Sequence, residues 1–101
     1  MVMVAGDTTE RDEAIRKAIE ETLKPTGIGR VIVHEDEGHG GTPIYRITIV
    51  LASDDERLQT GRVMRLWDAV MRATGKFDDV PRFPVFTFMT PTEAEAGDAA
   101  A

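Results

Sequence analysis

At 101 residues, 42 % hydrophobic and 30 % charged, the chain has the make-up of one soluble globular domain. No apolar run approaches the roughly 20 residues that span a bilayer. The start "MVMVAGDTTERDEA" lacks the basic and apolar regions of a secretion signal, and the absence of cysteine excludes disulfides, thiolate metal sites and cysteine nucleophiles. Of the formal charge of −6, Glu93, Glu95 and Asp98 supply −3, which leaves a mildly acidic body. Such a body is poorly suited to non-specific nucleic-acid binding, which rests on phosphate neutralisation by Lys and Arg. A cytoplasmic location without membrane contact is expected.

In chain order, "VMVA" (residues 2–5) is a candidate short strand. "DTTERDEAIRKAIEETLKP" then predicts a helix, with Thr9 and Asp12 at its start and Pro25 at its end. Ile15, Ala18, Ile19, Thr22 and Leu23 keep the i, i+3, i+4, i+7, i+8 spacing of a buried stripe. "RVIV" and "PIYRITIVL" read as strands, the second alternating Tyr45, Ile47, Ile49 and Leu51 with Arg46, Thr48 and Val50. Between them "HEDEGHGG" reads as the wet tip of a hairpin.

"SDDERLQTGRVMRLWDAVMRATGK" predicts the second helix, opened by a Ser53/Glu56 capping box and closed by Gly75. Its stripe is Val63, Leu66, Trp67, Val70, Met71 and Thr74. Trp67 is expected as a core anchor, Met64 and Met71 as gap fillers, and Gly61 as a point of kinking or close packing. After "KFDDVPR", "FPVFTFMT" predicts the last strand, with Phe86 and Phe88 on one face and Val85, Thr87 and Met89 on the other. "PTEAEAGDAAA" is acidic and low in complexity, so residues 92–101 read as a disordered tail beyond a single domain at 1–91.

The fold class is therefore α+β, a two-layer α/β sandwich in the order α-β-β-α-β. If residues 2–5 pair, the order becomes β-α-β-β-α-β, as in ferredoxin-like folds. The sheet is expected to be mainly antiparallel, with two helices on one face.

Few motifs carry chemistry. A metal site on His34, His39, Glu35 and Glu37 suffers from the five-residue histidine spacing, about 140° apart on a helix and on opposite faces of a strand. "GHGGTP" and "GIG" precede strands rather than following them, the reverse of a phosphate loop. Ser53, the only serine, is a cap, and Asp54/Asp55 and Asp78/Asp79 have turn or helix-start explanations. No cofactor is expected, and the chain is read as a non-enzyme.

The stronger signal is a row of Arg62, Arg65 and Arg72, interleaved with Leu58 and Ala69, on the helix side away from the stripe. Arginine is enriched at interfaces where lysine is depleted. The competing reading is a solvated face paired to Asp55 and Asp68. The last strand, apolar on both faces, wants more cover than two helices give, which points to a homodimer through Val85, Phe86, Phe88 and Met89.

Function then reads as binding: a small regulatory domain, homodimeric, contacting an acidic partner protein. The element order over residues 8–90 also resembles the RNA-binding type II KH arrangement, although "TGRVMR" supplies only one glycine of the G-x-x-G signature. That resemblance implies a nucleic-acid-binding alternative. A metal-dependent enzyme built on the histidine loop is the third reading.

Overall fold

The computed structural model describes residues 3–77 and 80–100, with side chains over 9–77 and 80–97. Seven elements follow one another: α1 (Met3–Leu23), β1 (Ile28–Glu37), β2 (Pro43–Leu51), α2 (Thr60–Val63), α3 (Leu66–Thr74), β3 (Phe83–Met89) and α4 (Pro91–Ala100). The fold is α+β around a three-stranded mixed sheet, and no helix among the described residues is long and apolar enough to cross a membrane.

The sheet order is β1-β2-β3. β1 runs antiparallel to β2, pairing Val33 with Ile47 and Val31 with Ile49, while β2 and β3 run parallel, pairing Ile47 with Phe86 and Ile49 with Phe88. This corrects the expectation of a mainly antiparallel sheet. The reason is the connection: α2 and α3 carry the chain back along the sheet, and such a crossover delivers the next strand in the same direction.

One face of β2 builds the core. Tyr45, Ile47, Ile49 and Leu51 pack with Ile15, Ile19 and Leu23 of α1 and with Leu66 and Val70 of α3, and Phe86 and Phe88 pack against the same cluster. The buried stripe of α1 matches the sequence reading. That of α3 matches at Leu66, Val70 and Thr74 but not at Trp67, which is 47 % exposed. Met64, read as a gap filler, is 76 % exposed. The helix registers its stripe on Leu66 and Val70, and this turns Trp67 past the sheet rather than onto it.

Four boundaries differ from expectation. Residues 3–5 belong to α1, not to a strand, and Val2 lies outside the described residues. Ser53 and Glu56 do not open a helix: Ala52–Gln59 is a loop, and Glu56 Oε1 instead accepts the Gly27 N–H at 2.9 Å. A Cβ on Gly27 would sit 2.9 Å from Glu56 Oε2, so glycine permits this close approach. With Ala52 N–H donating to Gly27 O at 3.0 Å, the loops after α1 and β2 are tied together. The helix then comes in two pieces. At Met64–Arg65 the ladder tightens, Arg65 N–H bonding Arg62 O at 3.0 Å rather than the residue four back. Gly61 is not a point of close packing, since a Cβ there would meet nothing within 4 Å.

The fourth difference is the tail, where residues 91–100 form α4 rather than a disordered segment. A reciprocal capping box explains it: Thr90 N–H donates to Glu93 Oε1 at 2.9 Å and Glu93 N–H to Thr90 Oγ1 at 3.2 Å, with Pro91 at the first helical position. Ala94 is buried and α4 packs against β2 and β3. Ala101 lies outside the described residues, as do Asp78 and Asp79.

Asp54 anchors this helix from the other side, accepting the Thr92 N–H at 3.1 Å and the Thr92 hydroxyl. The hydroxyl bond first, then the backbone bond, holds the Asp54 carboxyl below its ordinary value. A depressed acid stabilises the fold above its unfolded pKa, and that contribution is lost as pH falls through the folded one. The Thr92 amide proton shift, followed by NMR, should therefore titrate below the usual carboxylate range. Asp54→Asn should abolish that titration, and a midpoint at the ordinary aspartate value would contradict the anchor.

Candidate functional site

The histidine segment is mostly strand. β1 extends through Glu37, so the turn is confined to Gly38–Thr42, closed by Gly38 N–H to Thr42 O at 2.7 Å. Gly40 and Gly41 adopt φ of 74° and 79°, the left-handed region where side chains are disfavoured. His34 pairs with Arg46 across the ladder, whereas His39 sits in the turn. Among the described residues no group of three or more His, Cys, Asp or Glu is placed to hold a metal ion. His34, His39, Glu35 and Glu37 are thus not assembled as a ligand set.

Two of the intervening acids have other partners. Asp36 pairs with Arg46 at 2.5 Å, and that bond, followed by the Glu37 N–H, lowers its pKa. Glu35 joins a cluster with no sequence signature. Its Oε2 accepts from Arg11, and its Oε1 lies 3.5 Å from Arg82 Nη2. Both guanidiniums lie over the Tyr45 ring, at 5.3 Å for Arg11 and 5.9 Å for Arg82. Arg82 also donates to Asp36 O at 3.0 Å and Ile44 O at 3.1 Å.

Arg11 is only 8 % exposed. Burial works against its charge, but hydrogen bonding and attraction from Asp12, with Tyr45 and Glu35 adding, raise its pKa above the ordinary value. The cluster ties α1 to β1 and β2, and to the residue preceding β3. With both Glu35 oxygens facing guanidiniums, it clamps the fold and offers no free base for catalysis.

Arg62, Arg65 and Arg72 line one open cavity of about 490 Å³ with Met64, Asp68 and Ala69, and with Glu21 and Thr22 of α1. Leu58 is not part of this lining; it lies in the Ala52–Gln59 loop, 37 % exposed. Arg72 pairs with Asp68 at 2.8 Å, and Arg62 Nε donates to Gln59 at 3.0 Å. Among the described residues, Arg72 alone of the three is ion-paired, and the expected pairing to Asp55 is absent. Arg65, Arg72 and Met64 are exposed, and Arg62 is half-buried.

The last-strand residues divide by face. Phe86 and Phe88 stack at 6.5 Å and lean on the core, so they are not a free surface. Val85 is 43 % exposed, Thr87 is exposed and Met89 is half-buried. Phe83 stacks with Trp67 at 6.0 Å and 14°. The alternation of the strand was visible in the sequence; the position of Trp67 beside its first residue was not.

No protein-family model matches the chain, and comparisons with curated proteins and with solved structures find no match.

Proposed function

We propose that this chain is a small, non-enzymatic binding domain that works as a homodimer and presents Arg62, Arg65 and Arg72 to an acidic partner protein. The convergence of these three arginines on one cavity, with exposed Met64 among them, supports the reading. Guanidinium groups match carboxylates in bidentate geometry, and an apolar side chain among them supplies area that a purely solvated charged face lacks. The fold in this reading is a two-layer sandwich in which α1 and α3 cover the Tyr45–Ile47–Ile49 face. The arginines then sit on the outer side of the helix layer, clear of the dimer surface at β3. A cytoplasmic setting is part of the reading and rests on the cysteine-free composition.

Changing Arg62, Arg65 and Arg72 together to glutamate should leave the circular dichroism spectrum unchanged, because none of the three is buried. Partner recovery in a pull-down from host lysate should fall at least about tenfold, since each lost charged contact is worth on the order of 1 kcal/mol. Unaltered recovery would return the row to solvated surface.

The KH-like alternative has one observation in its favour, the helix break at Met64–Arg65 between two helices that precede a parallel last strand. The acidic composition weighs against it. RNA recovered by the same pull-down, with binding that weakens steeply as salt rises, would replace the protein-partner reading.

A further inference from the structure

β3 stands at the end of the sheet, and among the described residues its ladder partner is β2. An end strand leaves the backbone N–H and C=O groups of its outer flank unpaired within the sheet, a template for another strand. The two edges of this sheet are built differently. β1 carries His34, Glu35, Asp36 and Glu37, all exposed, and charges on an edge discourage pairing. Residues 83–90, "FPVFTFMT", carry no charge at all. Above the β3 edge, Trp67 and Phe83 form an aromatic ledge in which both rings remain more than two-fifths exposed, at 47 % and 42 %.

We propose that the occupant of this edge is β3 of a second copy, paired antiparallel across a two-fold axis so that two three-stranded sheets become one of six strands. This rests on the homodimer reading above and assigns its geometry. A strand meets itself across a two-fold only in antiparallel register, which satisfies both edges at once. The self-pairing is also electrostatically permitted, because an uncharged segment meets an uncharged segment in a chain that is otherwise acidic. Pro84, which lacks an N–H, stands near the end of the strand, so a ladder centred on Phe86–Phe88 does not require its donor. The ledge of each copy then lies beside the C-terminal end of the other's strand, and the half-exposed Trp67 gains a neighbour there.

The chain has no cysteine and a single tryptophan, so the test needs few changes. Thr87→Cys and His34→Cys, each spin-labelled in the full chain, report the two sheet edges separately. Edge pairing predicts a dimer by light scattering at micromolar concentration with strong spin–spin broadening at position 87. Labels at position 34 should stand on the order of 24 Å apart or more, five strand spacings of about 4.8 Å. Trp67 emission should shift to the blue over the concentration range in which the dimer forms. A dimer with well-separated labels at 87 would overturn the edge pairing while leaving the homodimer intact. A monomer at that concentration would overturn both.

Discussion

Replacing Phe86 and Phe88 together by lysine is expected to abolish folding. Both rings lean on the cluster of Tyr45, Ile47 and Ile49, beside the strand to which β3 is bonded. Removing a fully buried phenylalanine costs about 3–5 kcal/mol, and these half-buried rings fall lower, at roughly 1–3 kcal/mol each. Lysine adds the cost of drawing an ammonium toward an apolar surface. The sum reaches the order of 5 kcal/mol, the lower end of the stability of a whole domain. Far-UV circular dichroism and thermal melts would show this as loss of the cooperative transition.

The companion substitution should behave differently. Val85 and Thr87 are exposed on the opposite face, whereas Met89 is half-buried beside Val50. Val85→Lys with Thr87→Lys is expected to melt within a few degrees of wild type, since surface changes usually stay within about 0.5 kcal/mol. The same protein should be monomeric by light scattering, because two lysines on an edge strand block its pairing. A folded dimer in this variant would contradict the last-strand interface.

Tyr45→Ala is expected to cost about 3–5 kcal/mol, the range for deleting a large core ring. Tyr45 has 0 % exposure and stands at the centre of the core, with Arg11 and Arg82 over its ring. For a domain of this size each kcal/mol is roughly 4–8 °C, so the melting midpoint should fall by about 12 °C or more. Glu35→Gln is milder, at about 1–3 kcal/mol, because it leaves the buried Arg11 with Asp12 as its carboxylate partner. Adding Arg11→Met to Glu35→Gln should recover part of that loss, since the buried guanidinium then has one carboxylate fewer to offset its desolvation. Strict additivity of the two single changes in a double-mutant cycle would show that the clamp does not couple them.

Much of the local structure was readable from residue order. The stripe Ile15–Ile19–Leu23 and the alternation Tyr45–Ile47–Ile49 predict α1 and β2 because a helix repeats every 3.6 residues and a strand every two. α4 was also readable in principle: "TPTE" carries a capping box with proline at the first helical position, and the acidic, alanine-rich composition obscured it. The Ser53/Glu56 box misled in the opposite way. Its carboxylate found a stronger claim in the Gly27 N–H, brought near only by the folded chain.

The candidate surfaces followed the same division. Sequence spacing alone placed Arg62, Arg65 and Arg72 on one helical side, because a few turns of helix suffice to bring them together. It also determined that β3 is uncharged and apolar on both faces. Only the tertiary structure decided that β3 lies parallel to β2 at the edge, that Glu35 sits between Arg11 and Arg82, and that Trp67 overhangs the last strand instead of joining the core. Each of these depends on contacts between residues distant in the chain, from Trp67 with Phe83 to Glu35 with Arg82. Periodicity and capping act within a turn or two of chain, whereas such contacts are chosen by whichever packing of whole elements buries the most apolar surface.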